Sequence, residues 1–422
     1  MVDLITVTKA KDTSYLSLLD FLRKIGIFPC KKIIDENSRK AFLKPANGKI
    51  QFVIYFVILL FIFVLTAFSQ WIIIASLEYE SLHETIMEVM KVGTAMHDSD
   101  YDFIVALALD VFTWIFHAII MISLVSSRED LCNVQHYLLE KANYDPKSEM
   151  AIHMKSFCNR SLIKSGLGIM VTFVCMAIGN TLNVKQHFQL SLVIILPFAL
   201  HVFIFCFWAL LPIIAFNFYV CEVLLMLIPW TLALREKFVN NARHVMKSHD
   251  IEELLEESDR LLVGIDMVSK AMSKTLYWLF TMIMIGAIVG TYLMISFFLS
   301  QEEFTMSISL NFVGLGGFVV LYLRFAYNYC TVSQDIKETI HGINKALLNL
   351  DINPEQIVTT NGSTIRAKHL QMRIASGFEE FQGFHGNHYF VLDKPLLTSI
   401  SANYATYLII LIQFKVSELS AK

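Results

Sequence analysis

Apolar residues run along this chain in seven stretches, each long enough to cross a lipid bilayer. Six of them hold no charged residue between their limits: Lys49 to Glu78, Lys164 to Lys185, Lys185 to Glu222, Lys274 to Glu302, Glu303 to Arg324 and Lys394 to Lys415. The seventh, from Asp102 to Arg128, holds only Asp110. A helix needs about 20 mostly apolar residues to cross the hydrocarbon core, and only helices or closed barrels satisfy their backbone groups in lipid. Because the short alternating strands of a barrel are missing from the pattern, we predict an all-α polytopic membrane protein with seven transmembrane helices.

The fourth stretch is nearly twice the length of a span and contains Pro197, Pro212 and Pro229. It is either a hairpin of two helices or one long helix that projects beyond the membrane. Lys and Arg accumulate in cytoplasmic loops, and with one helix the alternate loops hold 29 against 4 of these residues. A hairpin would destroy this asymmetry. We therefore predict one long helix, a cytoplasmic amino terminus and an extracellular carboxyl terminus.

Composition agrees with a membrane protein and excludes several other classes. The chain has 422 residues, of which 55% are hydrophobic and 17% charged, with a net charge of −3. Soluble domains carry roughly 25% charged residues, and a nucleic-acid-binding protein would be basic. No pair of catalytic carboxylates, metal-ligand spacing or phosphate-binding loop stands out. We therefore expect a multi-pass protein of the plasma membrane that is not an enzyme, has no cofactor and no metal, and binds no nucleic acid.

Two segments next to the spans have a helical apolar period. Ile251, Leu254, Leu261, Ile265, Val268 and Met272 precede the fifth span, and Ile336, Ile340, Ile343, Leu347 and Leu350 follow the sixth. The spacing predicts that both membrane helices continue into the cytoplasm with one apolar face each. Such a face is buried either in a bundle within the chain or in a module that also joins subunits.

These patterns divide the chain into six segments. We predict a cytoplasmic amino-terminal segment, a bundle of spans one to four that senses ligand, a cytoplasmic anchor helix, spans five and six, further cytoplasmic anchor helices and a final span. Their limits are 1–48, 49–234, 235–275, 276–330, 331–392 and 393–415.

Polar groups within the spans mark a possible ligand pocket. Asp110, Trp114 and His117 are spaced i, i+4 and i+7, so they share one face of the second span. Asn180 on span three and Thr291 and Tyr292 on span five add polar groups near the outer ends. Ionisable groups in a span need a partner or a wet cavity. These residues either form hydrogen bonds with one another between helices or bind a small molecule.

The last span has a polar stripe along one face. Its start is marked by Asp393 and Pro395, typical of a helix cap followed by an early proline. Ser399, Asn403, Thr406, Ile410 and Gln413 then fall on a single face. The stripe either holds helices together through hydrogen bonds or faces water in a pore, with Ile410 as the apolar constriction of a gate that closes by dewetting.

Residues 406–414, TYLIILIQF, resemble the signature of the insect gustatory receptors, which is Thr-Tyr, five hydrophobic residues and Gln-Phe in the last span. Leu396 to Ile400 are also similar to that family. The resemblance implies a ligand-gated, non-selective cation channel. It further implies a homo- or hetero-tetramer with a central pore lined by the last helix, embedded in membrane lipid and opened by a tastant that is a sugar or a bitter compound. By position, Gln413 and Phe414 would lie at the gate, with Thr406 and Tyr407 deeper in the pore.

Three alternatives stay open. An odorant- or light-responsive relative would share this architecture. A transporter would show internal repeats and broken, Gly-rich helices, and Gly314, Gly316 and Gly317 in span six are the one cluster of that kind. A G-protein-coupled receptor would have its amino terminus outside.

Lys415, which follows the motif directly, either turns away from the pore or lowers conductance.

The orientation of the chain is testable with epitope tags. On intact cells, an antibody should stain a tag at the carboxyl terminus and not one at the amino terminus, because the Lys and Arg asymmetry places the amino terminus inside. Permeabilised cells, the control, should stain for both. An amino-terminal tag stained on intact cells would contradict this orientation and favour a G-protein-coupled receptor.

Overall fold

The structure, a computed structural model, describes residues 15–34, 41–77, 84, 86, 88–89, 100–141, 149–241, 248–300, 306–350 and 361–421, with some residues inside the helices given by their backbone alone. The helices are α1 (Leu16–Lys24), α2 (Gly48–Ala75), α3 (Asp100–Ser126), α4 (Arg128–Lys141), α5 (Glu149–Phe188), α6 (Leu192–Asn241), α7 (Ser248–Ser300), α8 (Met306–Leu348), α9 (Asn361–Glu380) and α10 (Lys394–Ala421). The strands are β1 (Cys30–Ile34), β2 (Ala41–Pro45), β3 (His385–Gly386) and β4 (Phe390–Val391).

Seven of the described helices are long and apolar enough to cross a membrane: α2, α3, α5, α6, α7, α8 and α10. They coincide with the seven stretches found in the sequence, so the all-α polytopic fold is confirmed. The strands form two short antiparallel hairpins that the sequence pattern did not reveal. Cys30 of β1 lies opposite Pro45 of β2, and His385 of β3 opposite Val391 of β4.

The long fourth stretch is one helix, as the charge pattern predicted. α6 runs without a break from Leu192 to Asn241 through all three prolines. It lies in the middle of the bundle, where 67% of the most apolar part of its span, Leu211–Asn240, is buried. Because neighbouring helices surround it, they offer contacts that a proline-containing helix in lipid would lack.

One end of the molecule, which we call the base, is built from α1, α4, α9, both hairpins and the adjoining ends of α7 and α8. The β1–β2 hairpin is fixed on α4 by the backbone amide of Leu43, which donates to Gln135 Oε1 at 2.8 Å. The thiols of Cys30 and Cys132 lie 3.0 Å apart in the same contact. The opposite end, where α2 ends and α3 begins, we call the top.

The apolar faces that the sequence placed beside spans five and six are buried within the base. Ile251, Leu261 and Ile265 of α7 pack in one core with Ile340 and Ile343 of α8. α9 contributes Ile374 and Phe378 to the same core. The described chain thus covers these faces with its own helices, in the intrachain bundle that was one of the two alternatives. Whether the base also joins subunits stays a prediction.

The contact between α5 and α8 is the most extensive between two described helices, and small residues make it possible. A Cβ atom on Gly314 would lie 2.3 Å from Met176 Cγ and 3.0 Å from the Met176 backbone nitrogen. A Cβ on Gly317 would lie 2.4 Å from Thr172 Oγ1. In lipid, helices associate through such close backbone contacts, since burial from water does not drive them together.

Substitution of Gly314 by leucine should therefore destabilise the bundle. The side chain has no room against the α5 backbone, and overpacking of this kind costs about 1–3 kcal/mol. We expect Gly314→Leu to lower the melting temperature of the detergent-purified protein. Gly166→Leu is the matched control, because a Cβ at that position meets nothing within 4 Å. Equal melting temperatures for the two variants would contradict this account of the contact.

Candidate pore helix and ligand-binding residues

The last helix begins as its sequence predicted. Asp393 caps α10: its Oδ1 accepts a hydrogen bond of 2.9 Å from the backbone amide of Leu396. Pro395 lies in the first turn, where its missing N–H costs no hydrogen bond. The cap fixes the point at which the chain leaves the β3–β4 hairpin and enters the apolar span.

One face of α10 packs against the rest of the chain. Ile400 is buried in the main core, and Leu408 and Leu411 pack against a cluster that contains Tyr292 and Ile308. The Tyr404 hydroxyl donates a hydrogen bond to Thr291 Oγ1, which ties the middle of α10 to α7. The packing face therefore connects the last helix to α7 and α8.

The opposite face is the polar stripe. Ser399, Asn403, Thr406, Ile410, Gln413 and Phe414 are all exposed in the described chain. Two of its hydroxyls bond to their own helix, Ser399 to the carbonyl of Pro395 and Thr406 to that of Ala402. Only 6% of the most apolar part of α10 is buried, the lowest fraction among the seven spans. Within the part of the chain that the structure describes, the stripe is therefore not a seam between helices.

Lys415 lies on the packing face and is 1% exposed. It follows the motif in sequence, yet it is on the other side of the helix from Asn403, Ile410 and Gln413. Of the two alternatives, the structure supports the one in which Lys415 turns away from the stripe.

Trp114 and His117 belong to a group of aromatic rings between α2, α3 and α6. The Trp114 ring packs on Phe205 with 5.0 Å between centroids. His117 is buried, and its ring lies 5.5 Å from that of Tyr55 and 5.9 Å from that of Trp208, while those two rings lie 6.0 Å from each other. The side chain of Asp110 lies outside the described residues, although its backbone is part of α3.

The other predicted ligand residues lie elsewhere in the bundle. Asn180 is half-buried on α5, next to the contact in which Ser307 donates to the Gly179 carbonyl. Thr291 accepts the hydrogen bond from Tyr404, and Tyr292 is fully buried between α3, α7 and α8. The structure therefore brings Trp114 and His117 together, and separately Thr291 and Tyr292, but does not unite the four in one described cavity.

Two sizeable cavities lie nearer the base. One, of about 690 Å³, runs between α5, α6 and α8. The other, of about 890 Å³, lies between α7, the end of α9 and the β3–β4 hairpin. The predicted residues Trp114, His117, Asn180, Thr291 and Tyr292 line neither of them. Periodicity could not have revealed these cavities, because they form where helices distant in sequence meet.

The cavity at the hairpin contains titratable groups. His385 Nδ1 shares a hydrogen bond of 3.0 Å with Ser269 Oγ, and the rings of His385 and His388 lie 4.4 Å apart. Burial, followed by the charge of His388, lowers the pKa of His385, while Asp266 acts in the opposite direction. Among the described residues, no group of three or more His, Cys, Asp or Glu side chains is placed to hold a metal ion.

The acid at the end of the fourth apolar stretch, Glu222, is buried and structurally important. Glu222 of α6 lies 5% exposed, and its carboxylate accepts a hydrogen bond from the backbone amide of Tyr15. The Tyr15 hydroxyl in turn donates to Asn159 of α5. A buried carboxylate needs a hydrogen-bond donor, and the Tyr15 amide provides one. The two bonds of Tyr15 together attach the start of α1 to α6 and α5.

Comparison with known proteins adds evidence on the fold. No protein-family model and no curated protein matches the chain. Among solved structures, the chain is similar to the insect olfactory receptor OR5 from Machilis hrabei in complex with eugenol. The TM-score is 0.64 and the sequence identity 12%, and the match covers 98% of this chain and 100% of the receptor chain. A second structure of the same receptor gives a TM-score of 0.61 and 11% identity with the same coverage. Similarity at this identity shows that the two chains share an all-α polytopic fold.

Proposed function

We propose that the chain is a chemosensory receptor that acts as a ligand-gated, non-selective cation channel opened by a small tastant. The observation that carries this proposal is the polar stripe on α10, which is exposed in the single chain. A helix facing lipid would not keep the amides of Asn403 and Gln413 on its surface, because lipid cannot hydrogen-bond to them. Several copies of α10 around a common axis would instead place these groups in water.

In this proposal four copies, identical or mixed, surround one pore. Ser399, Asn403 and Thr406 line its wider part, and Ile410, Gln413 and Phe414 form the gate. An apolar ring such as Ile410 closes a narrow pore by excluding water. The burial of Lys415 supports cation passage, because its positive charge does not lie on the stripe.

The hydrogen bond between Tyr404 and Thr291 suggests how a ligand opens the gate. Ligand contacts on α3 would move α7 and α8, and α10 would follow because its packing face is fixed to both. Rotation of α10 would then carry Ile410 away from the axis. In this mechanism the amino terminus is cytoplasmic and the carboxyl terminus extracellular, so the base is the cytoplasmic anchor.

For the ligand site we propose Asp110, Trp114 and His117 of α3. Asn180, Thr291 and Tyr292, the other residues that the sequence suggested, lie apart from Trp114 and His117 and are not needed for this proposal. Aromatic faces with a nearby carboxylate suit a small polar or aromatic molecule. An odorant is the second candidate class of ligand, favoured by the similarity to an olfactory receptor solved with eugenol. A transporter is disfavoured because α8 passes unbroken through Gly314, Gly316 and Gly317.

The pore assignment is testable by cysteine accessibility. Cells that express the chain alone are first screened by calcium imaging with sugars, bitter compounds, eugenol and light to find an agonist. A cationic thiol reagent added from the aqueous side should then block most of the current of Thr406→Cys, since that side chain faces the proposed pore. Leu408→Cys, two residues away on the packing face, is the matched control and should conduct like the unmodified chain. Equal block of both variants, or of neither, would count against a pore along this face.

The ligand site is tested by a pair of tryptophan variants. Trp114→Ala should raise the agonist concentration for half-maximal current by about tenfold, equivalent to ~1.4 kcal/mol of binding, and Asp110→Asn should shift it as well. The reversal potential, which reports ion selectivity, should stay unchanged in both. Trp71→Ala is the control, because Trp71 is an exposed tryptophan on α2. A change in reversal potential, or an equal shift for Trp71→Ala, would contradict the proposed site.

A further inference from the structure

The cavity between α5, α6 and α8 lies outside the proposed ligand site. Its volume of about 690 Å³ falls within the range of small-molecule sites, roughly 300–1,000 Å³. Apolar side chains such as Ile169, Ile214, Phe218 and Phe325 form most of its wall. It occupies the half of the spans nearer the base, whereas Thr291 and Tyr292 lie toward the top.

The cavity is long and narrow. Its lining extends along α8 from Phe325 to Thr339 and along α6 from Ile214 to Leu232. At 1.5 Å per residue these segments measure about 21 and 27 Å. A cleft of this length and volume fits an extended alkyl chain better than a compact aromatic molecule.

The two ends of the cavity differ in charge, because Asp335 is the one charged residue among the described residues that line it. Ile169, Ile214 and Phe325 surround the end nearer the middle of the spans, with Asn217 and Asn328 beside them, and Asp335 and Thr339 lie at the end nearer the base. Asp335 is exposed there. A negative carboxylate at this end repels an anionic headgroup and accepts hydrogen bonds from a hydroxyl.

The cavity opens sideways through a surface suited to lipid. Gly166 is exposed at its edge, and a Cβ on that residue would meet nothing within 4 Å. Tyr327 lies on the opposite edge, and Val320 and Leu323 continue the same exposed apolar surface of α8. A molecule dissolved in the bilayer can therefore enter without crossing the protein core.

One buried polar atom in the wall requires a partner. Thr331 Oγ1 is shielded from solvent and has no hydrogen-bond partner among the described residues. The nearby amide of Asn217 differs, because its Oδ1 accepts a bond of 2.5 Å from the Tyr329 hydroxyl and its Nδ2 donates to the Ile213 carbonyl. Buried hydroxyls are usually bonded, and a ligand with its own hydroxyl would supply the missing partner.

We propose that this cavity binds one single-chain membrane lipid with an uncharged hydroxyl headgroup, of the class of long-chain alcohols and monoacylglycerols. The hydroxyl lies between Thr331 and Asp335, and the alkyl chain runs from there along α6 and α8 toward Phe325 and leaves through the opening beside Gly166 into the bilayer. This inference does not depend on the proposed channel function, because binding is measured directly on the purified chain.

The test is photolabelling of the full chain in detergent with a hexadecanol analogue that carries a photoreactive diazirine in its chain. Labelled peptides, identified by mass spectrometry, should come from the cavity walls on α5, α6 and α8. Gly166→Trp fills the opening and should reduce this labelling by about tenfold or more. Leu167→Trp, which introduces the same side chain at the exposed neighbouring position, is the matched control and should label like the unsubstituted chain.

A second variant tests the headgroup without changing the volume of the wall. Thr331→Val keeps the shape and removes the hydroxyl, and the loss of one hydrogen bond should weaken binding by about threefold to tenfold. Competition separates ligand classes: unlabelled hexadecanol should displace the probe, and palmitate and eugenol should do so poorly. Labelling that Gly166→Trp leaves unchanged, unaltered binding to Thr331→Val, or equal displacement by palmitate or eugenol would each overturn the proposal.

Discussion

Hydrocarbon offers no hydrogen bonds, and the architecture of this chain depends on that constraint. Each apolar stretch crosses as a helix whose backbone groups bond to one another. Because several of these helices are far longer than the membrane is thick, they continue into the base, where α7 and α8 meet α9 and bury a common apolar core. The membrane bundle and the base are therefore not separate modules joined by linkers. The same helices form both.

The sequence predicted the elements that are governed by local rules. The seven spans follow from the length of the charge-free stretches, and the unbroken α6 from the distribution of Lys and Arg. The Asp393 cap and the buried faces of α7 and α8 follow from residue spacing. Each of these predictions uses only the spacing or the number of residues along the chain and no contact between distant residues, so one sequence suffices.

The features that the sequence did not predict depend on residues that are distant along the chain. The β1–β2 hairpin is stabilised by Gln135 of α4, and the cavity between α5, α6 and α8 exists only because three helices leave a space between them. The predicted ligand residues divide for the same reason: a helical period shows that Trp114 and His117 share a face, but not which helix that face meets. The stripe on α10 was predicted in part. The sequence shows that most of its residues are polar and that they share one face, but only the folded structure shows that this face is exposed.

The hydrogen bond between the Tyr15 amide and Glu222 has a consequence for the first residues of the chain. A side-chain substitution leaves the main-chain N–H in place, so any residue except proline at position 15 keeps this hydrogen bond. A deletion that includes residue 15 removes the bond. A deletion that stops before Tyr15 leaves this hydrogen bond in place. A deletion that extends past Tyr15 would take a donor from the buried side chain of Glu222, so its effect would arise inside the bundle rather than at the terminus that was cut.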